Sequence, residues 1–438
     1  MTRLIVVAAV VMLTAQSRSS ETLFEHARII TGDGRVIENG ALLVEGDTIT
    51  GVGANVSAPK NATHVDLTGK TLMPGIVLAH GHIGYLRGTT FARENYTREN
   101  VVDHLNRYLY YGVVAMMSTG TDPGDLPFEI RNSPHPGALF RTAGPGFALP
   151  GASTGNLAMR SVPYGVTTEE EARRDVRELA AKKPDVVKVW VDDRNGAVKK
   201  LPPNLYRAII DEAHKHGLRV VVHVYYLADA RDLVDAGADG FLHLVRDEEM
   251  DDALVKVMKT KHVFVTPNLS TSEAGTYTGK PSWLDDPLLA ESATPAMIKK
   301  VADVYAARAG AAPRTVAVTS YQKQQRSVAR LNAAGVTIAL GDDTGIENTF
   351  YGYGEHHELE LMVAAGMSPM QVIVAATKTP AELLKLDHLG TIARGKSADF
   401  IVLDANPLDD IRNTKKIANV YQRGHEVDRA AMRRTWRP

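Results

Sequence analysis

The chain has 438 residues, 44% hydrophobic and 23% charged, which suits one large globular domain or two to three ordinary ones. With 50 basic and 51 acidic residues the formal net charge is −1, and no long basic run is present, so the whole-molecule field draws neither nucleic acid nor an anionic membrane. Cysteine is absent, which excludes disulfides, thiolate metal sites and a thiol nucleophile; any metal must be held by nitrogen and oxygen.

The chain opens with MTRLIVVAAVVMLTAQSRSSE. One arginine precedes an apolar or small run from Leu4 to Ala15, too short to span a bilayer, and polar residues follow. This predicts a signal peptide over residues 1–20, a secreted or periplasmic location, and no membrane attachment after its removal. A buried N-terminal strand is the alternative. Residues 21–72 read as β structure, with alternating runs of Ile, Val and Thr broken by the turn signals GDG, ENG and EGD. Residues 389–438 carry a similar pattern. Two β segments at opposite ends predict one small β-sandwich domain built from both termini.

Between them, over residues 73–388, strands and helices alternate. The opening strand lies in LMPGIVLAHGHIG (72–84). Further strands are predicted at 112–120, 138–146, 185–193, 219–226, 240–245, 263–268 and 336–343, with helices such as 169–182 and 227–238 between them. Eight parallel strands with α crossovers predict an α/β fold, a (β/α)8 TIM-like barrel. An open doubly wound sheet is the alternative, but no G-x-G-x-x-G follows the first strand. The long segment 268–335 reads as an elaborated loop over the active face.

In such a barrel the chemistry lies at the C-terminal strand ends. His80 and His82 end the first strand and, two residues apart, face the same side. Lys188 lies in the fourth strand, His223 in the fifth and His243 in the sixth; Asp342 and Asp343 end the eighth. Singly, each has a plain structural explanation: a core histidine, a snorkelling lysine, a helix cap. Together they converge on one barrel mouth, and a His/Asp set suits a divalent ion such as zinc when thiolate is unavailable. A protonated lysine cannot ligate a metal. A buried one has a depressed pKa, and its free amine can take up carbon dioxide to form a carbamate. The two carbamate oxygens can bridge ions roughly 3.5–4 Å apart. The remaining histidines read as structural, with His356 and His357 at the start of the last helix the nearest to the mouth.

This pattern resembles the amidohydrolase superfamily over essentially the whole mature chain. The likeness is carried by PGIVLAHGH, Lys188, the two later histidines, LGDDTG, and the closing segment GMSPMQVIVAATKTPAELLKLDHLGTIARGKSADFIVLDANPL. HVYYLADARDLVDAGADGFLH is similar to the imidazolonepropionase-like and prolidase-like branch. The resemblance implies that His80, His82 and Asp343 hold one divalent ion and that His223 and His243 hold a second. Lys188, as N6-carboxylysine, would bridge the two ions. The metal would be zinc, or manganese, cobalt or iron. It also implies that Tyr225 contacts the substrate carboxylate and that Asp343 is catalytic. Two positions depart from the family pattern: Leu78 stands where an Asp is usual, and Asp342 where a Thr is usual.

The expected activity is therefore a secreted metal-dependent amidohydrolase, prolidase- or carboxypeptidase-like. It would cleave an amide of an N-acyl amino acid or dipeptide by attack of a hydroxide bridging two metals. Its partner is a small-molecule amide or peptide, and a homo-oligomer is left open. The alternatives are a cyclic-amide or lactone hydrolase with the same centre, and a catalytically inactive binding or scaffold relative. The last should have lost ligands, and none of the six is missing.

Overall fold

The computed structural model describes residues 21–310 and 314–437. The expected signal segment, 1–20, lies outside the described residues. The middle of the chain forms the (β/α)8 barrel. Seven strands follow one another in parallel: Ile76–Gly81, Val113–Ser118, Leu139–Thr142, Val187–Val191, Val220–Val224, Gly240–Leu242 and Phe264–Thr266. They are almost wholly apolar, as strands buried on both faces must be. The third and fourth are joined by the Asp185 N–H donating to the Thr142 carbonyl at 3.0 Å, and beyond that point by Phe147 pairing with Val189.

The eighth position is occupied by residues 337–340. Ile338 bridges Val265 in parallel, and the Ala79 N–H donates to the Leu340 carbonyl at 2.9 Å, which closes the ring. The strand expected over 336–343 stops at 340 because the chain then turns, Asp343 taking a left-handed φ of 66°. Gly341 sits at this turn for want of space: a Cβ there would lie 2.6 Å from Thr266 Cβ and 2.8 Å from His80 Cβ.

Helices cover the barrel and carry clear end signals. Glu169–Ala181 starts with a capping box between Thr168 and Glu171, and Thr315–Ala334 stops at Gly335 with φ 73°. The 268–335 segment contains the helices Leu269–Glu273, Pro295–Ala306 and Thr315–Ala334, and parts of it line the cavity over the strand ends.

The two chain ends build one mixed sheet. Phe400–Leu403 pairs antiparallel with Thr71–Pro74, and Ile417–Gln422 and the N-terminal strands extend the sheet to either side. Alternation divides the Phe400 strand between two cores. Phe400 and Val402 face Phe24, Ile29 and Leu42, while Ile401 and Leu403 join the barrel core. The sheet is thus fastened to the barrel by its own side chains. The chain then ends in a helix, Arg429–Trp436, whose Trp436 indole N–H donates to Asp103 Oδ1 at 2.7 Å, on the first barrel helix, Arg98–Tyr110.

Phe400 is fully buried, its ring 4.6 Å from Tyr421 and 5.1 Å from Phe24. Phe400→Ala is expected to destabilise the sheet by about 3–5 kcal/mol, read as a lowered denaturant midpoint by circular dichroism.

Candidate metal centre

The strand ends bring His80, His82, Lys188, His223, His243 and Asp343 to the floor of one cavity of ≈ 810 Å3. Asp343 is the hub. Its Oδ1 lies 3.0 Å from His82 Nε2 and 3.3 Å from His80 Nε2, and its Oδ2 lies 3.9 Å from His243 Nε2. His80, His82 and Asp343 form a cluster whose ligand atoms all lie within 4.8 Å of one another, close enough to hold a metal ion. The His243 ring is 5.0 Å from the His80 ring and 4.6 Å from the His223 ring, so the second pair of histidines continues the same floor.

Neighbouring groups decide which imidazole nitrogen is free. The Asn268 amide fits its surroundings with its nitrogen towards Thr266 and its oxygen towards donors. That oxygen accepts from the Asp343 N–H at 2.8 Å and from His80 Nδ1 at 2.8 Å. The proton therefore sits on His80 Nδ1, and the Nε2 lone pair faces the cavity. His80 Nε2 and Asp343 Oδ1 are both buried without a hydrogen-bond partner. Two electron-rich atoms facing each other at 3.3 Å need a cation beside them, and this donor set fits a divalent ion. His82 Nδ1 is 2.7 Å from Thr121 Oγ1, which leaves its Nε2 towards Asp343. His223 Nε2 is 3.1 Å from Asp192 Oδ2, a carboxylate that can only accept, so Nδ1 is the free nitrogen of that ring.

Electrostatics agree with this arrangement. Burial, with the nearby Lys188, pushes the His80 imidazole well below its usual pKa, and burial with the facing His223 does the same to His243. Both are therefore neutral and able to ligate. Burial alone would raise the Asp343 pKa, but His82, His80 and Lys188 more than offset it and hold the group ionised. Burial brings the Lys188 amine down to about 7, against a smaller opposing pull from Asp343. Its Nζ lies 5.1 Å from the centre of the Trp190 ring.

The backbone is unusual at three of these positions. His243, Asn268 and Asp343 have φ of 91°, 53° and 66°, the left-handed region that residues other than glycine rarely enter. All three sit where a barrel strand gives way to its loop. Gly345 meets the same crowding: at φ 101°, a Cβ would fall 1.9 Å from the His82 carbonyl oxygen.

Residues 71–427 match the model of the amidohydrolase family. The chain belongs to the amidohydrolase family. It is 26% identical to an ochratoxinase of Aspergillus niger, over 94% of this chain and 88% of that protein. Among solved structures, a putative prolidase from Bifidobacterium longum superposes with a TM-score of 0.73 at 26% identity, covering 96% of this chain and 100% of that one. A Xaa-Pro dipeptidase with methionine bound in its active site gives a TM-score of 0.73 at 22% identity, over 93% and 100% of the two chains, a likeness of fold.

Within this amidohydrolase the predicted residues fall as follows. His80, His82, Lys188, His223, Tyr225, His243 and Asp343 all line the cavity. Asp342 turns away and takes hydrogen bonds from the Thr344 N–H, at 2.9 Å, and the Thr344 hydroxyl. Leu78 is buried in the barrel core, and the side chains that orient the two first-strand rings are Thr121 and Asn268 instead. His356 does not reach the mouth: it is fully buried, bound to Thr414 and the Tyr111 carbonyl. His357 pairs with Glu273 at 2.6 Å. Reading the sequence for histidine and acid missed Thr121, Asp192, Asn268 and Arg246. The first three follow barrel strands closely, and that position was the available signal.

Asn268→Ala is expected to leave the fold intact and weaken metal binding by about 10–100-fold, measured by competition with a chelator.

Proposed function

We propose that this enzyme hydrolyses the amide bond of an N-acyl amino acid or dipeptide, using two divalent ions. The observation that carries the proposal is the buried, ionised Asp343 set among three imidazoles with an unpartnered oxygen facing the cavity. His80, His82 and Asp343 would hold one ion, and His223 and His243 the other. The Lys188 amine, its pKa brought down to about 7 by burial, would add to carbon dioxide with loss of one proton to give a carbamate that would serve as a further ligand for the ions. When bound, the ions supply Lewis acidity to the scissile carbonyl and lower the pKa of water.

The remaining work falls to the chain. Asp343 would take a proton from the attacking water and return it to the leaving nitrogen, which is a poor leaving group until protonated. Asp192 and Asn268 keep the rings of His223 and His80 from turning. Tyr225 lines the same cavity and offers a hydroxyl to the substrate carboxylate. Amide substrates that carry an amino acid are in line with the Xaa-Pro dipeptidase and prolidase named among the similar structures. The apolar run Leu4–Ala15 is the basis for proposing that the enzyme works outside the cytoplasm.

The deciding experiment is a panel of N-acyl amino acids, dipeptides, lactams and lactones on zinc- and manganese-loaded enzyme. Turnover of the first two classes, stopped by chelator and restored by metal, is expected. Turnover of lactams or lactones alone would overturn the reading in favour of a cyclic-substrate hydrolase. Asp343→Asn should keep its fold and lose about 10²–10⁴-fold in kcat. Lys188→Ala should bind less than two equivalents of metal by elemental analysis and lose activity; full activity in that variant rules out the bridging role.

A further inference from the structure

Arg246 stands on the wall of the metal cavity three residues beyond His243. Its backbone is pinned on both sides: its N–H donates to the Tyr225 carbonyl at 2.8 Å, and its own carbonyl accepts from Ser320 Oγ at 2.7 Å. The guanidinium lies 5.7 Å from the centre of the Tyr225 ring. Its Nε is buried and has no hydrogen-bond partner. Among the described residues it forms no ion pair. Asp192, the carboxylate whose charge it feels, is already engaged by His223 Nε2 and the Arg194 N–H. A half-buried guanidinium without a counter-ion is costly unless something brings one.

Among the described residues, one side-chain polar contact of Arg246 sharpens the point. Its terminal nitrogen sits 3.3 Å from His243 Nδ1, where the ring must accept. His243 Nε2 faces Asp343 and is the atom that can ligate. With an ion held at Nε2, the ring proton would sit on Nδ1, and two donors would face each other. The guanidinium already lines the cavity, and a planar two-oxygen acceptor there would match its fork.

We propose that Arg246 is the specificity-determining anchor for the substrate's free carboxylate, with Tyr225 beside it. This rests on the amino-acid amide reading above. The anchor makes the enzyme choose substrates whose scissile amide lies next to a free α-carboxylate.

The test compares N-acetyl-L-methionine with its neutral C-terminal carboxamide, N-acetyl-L-methioninamide, by acetate release from metal-loaded enzyme. Wild type is expected to prefer the acid in kcat/KM. In Arg246→Gln the KM for the acid should rise by about 10–100-fold, as for loss of a hydrogen-bonded charge, while the carboxamide parameters stay the same. Arg246→Lys should fall between. Equal losses on both compounds would assign Arg246 a structural role through His243 and overturn the proposal, as would a preference preserved in Arg246→Gln. If wild type releases acetate from neither compound, the amide-hydrolysis reading has failed for this pair, and the anchor is read separately. N-acetyl-L-methionine is then titrated calorimetrically onto wild type and Arg246→Gln, both metal-loaded. Binding weakened at least about tenfold in the variant supports the anchor, and equal or absent binding in both overturns it.

Discussion

An ionised carboxylate buried against the lone pair of the His80 imidazole is the constraint on which this structure turns. Asp343 Oδ1 is buried without a hydrogen-bond partner among the described residues, and His80, 3.3 Å away, is held as an acceptor by the partner behind it. His80 is turned by Asn268, and His82 by Thr121. Asn268 fixes the His80 ring proton on the far side and leaves its near side electron-rich. An apolar core would relax such a cluster by protonation, but burial keeps His80 and His243 neutral while the surrounding imidazoles and Lys188 keep Asp343 charged. The cluster is held in wait for a cation.

The barrel holds this arrangement by over-determining the backbone. Left-handed conformations at His243, Asn268 and Asp343 cost of order 1–3 kcal/mol each for residues that are not glycine. They persist because the strand before each is locked in the ring. The His243 N–H donates to the Thr266 carbonyl at 3.0 Å, and the Asn268 N–H to the Gly341 carbonyl at 3.1 Å. The sixth, seventh and eighth strand ends are thereby tied to one another at the level of the metal cluster. The mixed sheet contributes indirectly: by placing Ile401 and Leu403 in the barrel core it braces the ring from outside.

Much of the barrel was legible because its strands are apolar runs and its helices have clear caps. That His80, His82, Lys188, His223, His243 and Asp343 share one cavity was legible because charged and imidazole groups stand out in apolar strands, as Lys188 does between valines. What was not legible was neutral or local. Asn268 and Thr121 are ordinary polar residues in sequence, and their role comes from the proton each directs onto or accepts from a ring. Arg246 follows His243 by three positions in a loop, where an arginine carries no sequence signal. The left-handed turns escaped for a similar reason: histidine and aspartate at strand ends gave no sign that the strand would stop three residues early. The eighth strand was read to 343 on its apolar start, and Gly341, squeezed between Thr266 and His80, is where packing ends it.

Asp342 shows how a second acid can stand beside Asp343 without disturbing it. It points away from the cavity, into a pocket where Thr344 donates to both of its oxygens. Glu355 lies against it, fully buried, with neither carboxyl oxygen given a partner beyond this neighbourhood. Burial brings Asp342 up to about 7 and, with the Asp342 charge, pushes Glu355 well above the usual carboxylate range. Two carboxyls in such a place cannot both ionise, so the pair holds at least one proton at neutral pH. The negative charge behind Asp343 is thereby limited to a single unit shared over two groups. The Gly-Asp-Asp sequence thus presents one carboxylate to the cavity, because Asp342 is engaged by Thr344 and Asp343 lines the cavity.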